Sequence, residues 1–313
     1  MKFTVNTILA SAVAVMLPLL SCSKPEGNQE DKPEENKEPV TETRTSEFTV
    51  MSFNVAVDNL QETKGWQSRK VAVNNMITTE KPDIIGFQEA QAHEITDMIN
   101  ANPEYGWYGL GRDSGSKPAN TTSYSAEEAM VVFWKKDVFK VITMGTFWLS
   151  ETPEKVSLGW DASYMRTATW LEMEIKATGQ RFFMFNTHLD NKGKTARTES
   201  MKLIADKIEE IDYSNLPCFL TADFNTTSTD AIFAPINGKM ASARDFAVSS
   251  EKTKNTYNGY TANGKSQIDH IFYKKVTPLT FRVLNGNYGN IYISDHYPII
   301  AKFSYTSTVT VTE

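Results

Sequence analysis

The sequence predicts an α/β fold built as one large domain, on three observations. Residues 47–100 read as strand, helix, strand, helix. Apolar runs of strand length then recur as far as residue 303, with one long amphipathic helix among them. Nothing between residues 47 and 306 has the composition of a linker, and no internal repeat is visible. Strands alternating with helices of this length pack as helices on sheets, and roughly 260 residues suit a single large core.

Residues 47–55 (EFTVMSFNV) alternate apolar and polar positions and form the first strand, with Asn54 near its end. In residues 68–80, Ala72, Val73, Met76 and Ile77 recur at helical spacing, and Pro82 stops the helix. Residues 83–87 (DIIGF) are a continuous apolar strand followed by Gln88 and Glu89, and residues 91–100 form a second helix with Ala92, Ile95 and Ile99 inward. Residues 129–134 (AMVVFW) and 138–142 read as a hairpin. Residues 169–175 alternate and pair with 181–186 (RFFMFN) across a turn at Thr178 and Gly179. Residues 195–211 are a long helix with Met201, Ile204, Ile208 and Ile211 on one stripe. Residues 218–220, 268–273 and 299–303 supply further strands, and 112–124, 148–160 and 255–265 are loops.

The two ends differ from this core. Lys2, an apolar run over residues 3–20 and the sequence Leu19-Leu20-Ser21-Cys22 read as an export signal covering residues 1–21. Its last residues resemble a bacterial lipobox, which implies lipidation of Cys22, attachment to a bacterial membrane through the acyl chains, and a location at the outer membrane or cell surface. Residues 22–46 are rich in Glu, Asp, Lys and Pro with little that is apolar, so they are expected to be a disordered acidic tether. The domain is expected to span 47–306, with 307–313 a frayed tail. The chain has two cysteines; with Cys22 lipidated, Cys218 has no disulfide partner and reads as a small core residue. A net charge of −6 argues against nucleic-acid binding driven by bulk charge, but leaves room for an enzyme that contacts a few phosphates.

Polar residues recur where apolar strands end: Asn54, Glu89, His188, Asp223 with Asn225, Asp269, and Asp295 with His296. Each alone has a plain structural reading as a cap, a turn or a solvated loop residue. Asp223 and Asn225 stand two apart, so in extended chain both face one way while Phe224 faces the other. Strand ends gathered at one edge of a sheet are where α/β proteins build sites, and the repetition points to one.

The order Ser52-Phe53-Asn54, Phe87-Gln88-Glu89, Asn186-Thr187-His188-Leu189, Ala222-Asp223-Phe224-Asn225, Ile268-Asp269-His270-Ile271-Phe272 and Ser294-Asp295-His296 resembles the endonuclease/exonuclease/phosphatase superfamily. That group includes deoxyribonuclease I-like nucleases, inositol polyphosphate 5-phosphatases and neutral sphingomyelinases. The resemblance spans residues 47–305; the family usually has Gly where Ala222 stands. It implies a four-layer sandwich of two packed mixed β-sheets flanked by helices. It also implies Mg²⁺-dependent hydrolysis of a phosphoester by direct attack of water, with Mn²⁺ able to substitute.

In that reading Glu89 is the direct metal ligand, and Asn54 and Asp295 are weaker or water-mediated ones. Asp223 and Asn225 orient water and phosphate. His296, its tautomer fixed by Asp269, is a base or a phosphate donor. Either Asp223 or His296 takes the proton. His188 binds phosphate from the other side, and by analogy with the nuclease branch Glu128, or failing it Glu127, orients that histidine. Arg112 and Arg166 are candidate phosphate contacts. The expected substrate is a nucleic acid, a sugar or inositol phosphate, or a phospholipid head group, as diester or monoester, handled by a monomer. The alternative is a catalytically inactive lipoprotein that binds phosphorylated ligands in the same cleft.

Overall fold

The computed structural model describes residues 40–311 except 263 and 265, with only the backbone of 40 and 309–311. The chain order is β1 (Val40–Asn54), α1 (Trp66–Glu80), β2 (Ile84–Gln91), α2 (Ala92–Ala101), β3 (Tyr105–Tyr108), β4 (Glu128–Lys135), β5 (Phe139–Trp148), β6 (Thr167–Ile175), β7 (Arg181–His188), α3 (Lys194–Ile211) and β8 (Cys218–Asp223). A 3-10 helix (Ala231–Ile236) follows, then β9 (Ala241–Ser242), α4 (Ala243–Phe246), β10 (Ser249–Ser250), β11 (Asp269–Lys274), β12 (Thr277–Val283) and β13 (Ile299–Val311).

Among the described residues one sheet has seven strands in the order β10-β12-β13-β1-β2-β4-β3, and the other has six in the order β5-β6-β7-β8-β11-β9. Both mix parallel and antiparallel pairs. Three apolar clusters mark three interfaces between four layers. The central one joins both sheets: Phe48 stacks on Phe182 at 5.1 Å and meets Phe219 edge-on, which in turn contacts Phe303 at 4.9 Å. A second packs α1 and α2 on the seven-stranded sheet through Val73, Met76, Ile77, Ile95 and Met98. A third packs α3 and the 3-10 helix on the six-stranded sheet through Met201, Ile204, Phe233 and Ile236. The expected four-layer α/β sandwich is the observed one.

The register puts the polar strand ends together. β1 runs parallel to β2 with Asn54 opposite Gln88. β7 runs parallel to β8 with His188 opposite Asp223, and β11 runs antiparallel to β8 with Asp269 opposite Asp223. Near this end the two sheets are tied by a buried amide network. Gln88 Nε2 donates to Asn186 Oδ1 at 2.7 Å, and Asn186 Nδ2 donates to the carbonyls of Phe87 and Val131. A side chain at Gly86 would collide with Thr221 Oγ1 and Asn186, so this close approach of the sheets requires glycine there.

Four expectations need correction. Residues 129–134 and 138–142 do not form a hairpin: β4 lies between β2 and β3, so both its edges are filled, and β5 pairs with β6 in the other sheet. Strand β12 is absent from the strands expected above; it contains Pro278, which a register shift between Pro278 and Thr280 accommodates. The expected tether is already strand from Val40, and the expected frayed tail is strand to Val311. Both stretches are rich in Val and Thr, which favour extended backbone. Residues 46–305 form one compact unit, and the described parts of the two ends lie outside it, where the hydroxyls of Thr45 and Thr306 are 2.9 Å apart. The signal, Cys22 and the tether before residue 40 lie outside the described residues. No helix among those described is long and apolar enough to cross a membrane.

His270, on β11 beside Asp269, faces away from the site into Phe224, Phe233 and Phe272, and its Nε2 donates to Thr226 O at 3.2 Å. Burial pushes its pKa down to about 4. The unfolded imidazole titrates near 6.5, so between about 6.5 and 4 the unfolded chain binds the extra proton. Its contribution to stability is therefore complete above about 6.5 and is lost as pH falls toward 4, by about 3 kcal/mol. Urea unfolding across this window, with the His270 imidazole followed by NMR, checks it. A His270 that titrates near 6.5 in the folded protein would exclude the effect.

Candidate active site

Two strained backbone positions set the site. Glu89 lies in β2 at φ 60°, where the register with β4 shifts between Phe87 and Ala90. A bulge at this point re-aims the side chain of the extra residue. Asn225, just after β8, has φ 53°. Non-glycine residues in this region cost about 1–2 kcal/mol each, and such strain concentrates at functional sites.

Asn54 Nδ2 donates to Glu89 Oε1 at 2.9 Å and to Asp223 Oδ2 at 3.0 Å, while its Oδ1 accepts from Ala56 N. Glu89 Oε2 accepts from Val57 N. Asp223 Oδ1 accepts from Asn225 N at 2.8 Å, which leaves Oδ2 facing both imidazoles: 3.5 Å from His188 Nε2 and 3.6 Å from His296 Nε2. Asp269 Oδ2 lies 2.9 Å from His296 Nδ1. Ser294 ties the last loop to β1, donating to Asn54 O at 2.7 Å and accepting from His296 N. The strand ends singled out in the sequence thus converge, and half-buried Asp295 stands beside them.

The two histidines are held in opposite states. Burial alone would lower the His296 pKa, but Asp269 and Asp223 outweigh it and push it up to about 10. His296 is therefore an imidazolium at neutral pH. Burial holds His188 well below its ordinary value, reinforced by Arg166, His296 and Arg112. Two donors flank this neutral ring, Arg166 Nη1 at 3.1 Å from Nδ1 and Asn225 Nδ2 at 3.0 Å from Nε2, and a neutral imidazole accepts from only one of them. Arg166 Nε is itself held by Asp190 Oδ2 at 3.3 Å, and Asp190 Oδ1 is fixed by the amides of Lys192 and Gly193.

Here the expected role of Glu128 fails. Its Oε2 takes Arg112 Nη1 at 2.6 Å instead of the histidine, whose Nδ1 is occupied by Arg166. Burial, with Glu89 adding, pushes Glu128 up to about 7. Glu127 does not replace it: its carboxylate accepts from the amides of Asp113 and Ser114. Arg112 and Arg166 are both buried and both lie against the Tyr164 ring, at 4.9 and 5.6 Å.

Sequence reasoning missed three contributors. Arg69 is fully buried; it donates to the carbonyls of Val55, Ala56, Ile293 and Lys64 and pairs with Glu94 at 3.6 Å, so it clamps the chain beside Asn54 to the loop before Asp295. Its signal was present: an arginine one turn before Ala72 and Val73 on an apolar helical face. Asp190 stands two residues after His188, the nearest local signal of its role. Tyr257, whose ring meets His296 edge-on at 5.1 Å, lies in what read as a polar loop.

These groups fit a hard divalent cation. Burial raises the Asp295 carboxyl, with Glu89 adding, and burial with Asp269 pushes Asp223 up to about 7 against the pull of His296. Clustered carboxylates under that strain are relieved by a cation with oxygen ligands. Nearby, the buried hydroxyl of Tyr260 and Oδ1 of Asp269 have no hydrogen-bond partner. Ligand atoms of Glu89, His188 and Asp223 lie within 4.8 Å of one another, as do those of Asp223, Asp269 and His296.

Carboxylates and imidazoles meeting at the strand ends of a two-sheet sandwich define a metal-assisted hydrolase of phosphoesters. Comparison with known proteins gives the same class. Residues 51–296 match the model of the Endonuclease/Exonuclease/phosphatase family, and the chain belongs to that family. An endonuclease/exonuclease/phosphatase family protein of Bacteroides thetaiotaomicron is 31% identical and superposes with a TM-score of 0.77, over 84% of this chain and 99% of that one. The mannosyl-6-phosphatase of Bacteroides thetaiotaomicron VPI-5482 is 32% identical, with a TM-score of 0.75, over 82% and 99%. The CCR4-Not 3′-5′-exoribonuclease subunit Ccr4 of Saccharomyces cerevisiae is 21% identical over 84% of this chain, which spans 39% of that protein. Members of the family hydrolyse phosphoester bonds and depend on divalent metal ions.

Proposed function

We propose that the protein is a Mg²⁺-dependent phosphomonoesterase acting on a sugar phosphate. The observation that carries this is the pair of buried guanidinium groups on the His188 side, Arg112 and Arg166, opposite the His296 imidazolium. Three cationic groups around one phosphoryl position suit a dianionic monoester better than a monoanionic diester. The likeness to a mannosyl-6-phosphatase supports the same substrate class.

Glu89, Asp295 and the Asn54 amide would hold the cation, which when bound neutralises charge on the phosphoryl and leaving oxygens. Asp223 Oδ2, open toward both histidines, takes the proton of the attacking water. Asn225, fixed to Leu189 O at 2.9 Å, stands beside His188 and positions the phosphoryl group. His296 donates to a phosphoryl oxygen from a ring held by Asp269, and His188 flanks the phosphoryl group from the other side. We further propose that Cys22 carries the lipid anchor of an exported protein, as the Leu-Leu-Ser-Cys sequence indicates.

Purified protein with Mg²⁺ or Mn²⁺ should release phosphate from hexose 6-phosphates faster than it cleaves bis(p-nitrophenyl) phosphate. EDTA should abolish both activities, and added Mg²⁺ should restore them. Faster diester cleavage would move the assignment to a nuclease-like diesterase, and EDTA-resistant turnover would remove the metal from the reading.

A further inference from the structure

Tyr164 has no part in the chemistry described so far, yet it stands at the edge of it. It lies two residues before Arg166, in the loop between β5 and β6, with its ring over both Arg112 and Arg166. Half of its surface stays exposed, an uncommon state for a ring so close to buried charge. Arg166 in turn touches His188 Nδ1, so the tyrosine is two contacts from an imidazole that faces Asp223.

The arginines beneath it are not used up by the protein. Arg112 spends Nη1 on Glu128, and its buried Nε lies 3.8 Å from Asp113 Oδ1. Arg166 spends Nε on Asp190 and Nη1 on His188. Each guanidinium has five N–H donors, so donors remain beside an open aromatic face. An exposed ring next to fixed, unspent donors is what a polyhydroxylated ring requires. Its C–H face packs on the electron-rich face of the tyrosine, and its hydroxyls accept from the guanidinium edge.

We propose that Tyr164, set over Arg112 and Arg166, is the platform for the leaving group and takes the pyranose ring of a sugar phosphate. This rests on the phosphomonoesterase reading and adds the residue that selects the alcohol half of the ester. The arginines then serve both halves, holding the phosphoryl group on the His188 side and the sugar hydroxyls at the rim of Tyr164.

The test compares the full chain with Tyr164→Ala and Tyr164→Phe on mannose 6-phosphate, glucose 6-phosphate and ring-free glycerol 3-phosphate, with Mg²⁺ present. The alanine variant should raise KM for the hexose phosphates about fivefold more than KM for glycerol 3-phosphate. Its kcat should stay close to that of the wild type, and phenylalanine should restore the wild-type pattern. An equal rise for all three esters would overturn the platform, because it would show that Tyr164 only props the arginines. Unchanged KM values, or activity confined to glycerol 3-phosphate, would overturn it too. A wild type inactive on every ester would sink the phosphomonoesterase reading itself, an outcome distinct from these.

Discussion

Replacing Glu89 by glutamine is expected to lower kcat by about a thousandfold or more while the protein stays folded. The side chain is nearly isosteric, and its contacts in the fold are few: Oε1 accepts from Asn54 and Oε2 from the amide of Val57. What the amide cannot supply is charge and a second acceptor, since its NH₂ must face one of these two donors. Glu89 stands at the centre of the oxygen ligands proposed for the cation, so calorimetric titration with Mg²⁺ or Mn²⁺ should lose its binding signal together with the activity. Stability should change little. Among carboxylates already raised by burial, removing a negative charge relieves repulsion on Asp295 and Glu128, which offsets the lost acceptor, so the melting temperature should shift by a few degrees at most. A glutamine variant that keeps metal binding and turnover would remove Glu89 from the site. One that unfolds would show that its role is structural.

The second large effect is expected at Asp269. Changing it to asparagine keeps an oxygen near His296 Nδ1 but removes the charge that does most to hold the ring protonated. In the wild type His296 must be an imidazolium to donate to phosphate, so activity should persist as pH rises until about 10 and be lost above it. In Asp269→Asn the upward push comes from Asp223 and Asp295 only, so the alkaline limb should move down toward the ordinary histidine value near 6.5. A ring with the ordinary value would be about 3% protonated near pH 8, so the loss in kcat/KM there should reach up to about thirtyfold. A pH-rate profile paired with NMR titration of the imidazole reads this directly. An alkaline limb that does not move would mean that His296 does not act as the charged donor.

The members of the site were legible in the sequence, and their partners were not. Asn54, Glu89, His188, Asp223, Asn225, Asp269, Asp295 and His296 each follow or end an apolar run, and a strand end is a local property that periodicity reveals. Which residue orients His188 is not local. It depends on the loop before β6 bringing Arg166 under β7 and on Asp190 being tied to its own turn. Glu128 looked equally well placed, one residue before an apolar strand, but β4 delivers it to Arg112. The same limit explains the hairpin error: the stretches around 131 and 140 are adjacent in sequence and good strands, but nothing local says that the chain changes sheets between them. The fold class was readable because alternating strands and helices leave few layer arrangements.

The course of β1 sets two ends of the domain apart. Within the compact unit the strand enters at Ser46, whose hydroxyl bonds Gln180 at the β6–β7 turn, and ends at Asn54 among the carboxylates. At about 3.3 Å per residue this carries the chain through roughly 26 Å of the domain. Ser46 and the site therefore stand at opposite ends of this stretch of the strand.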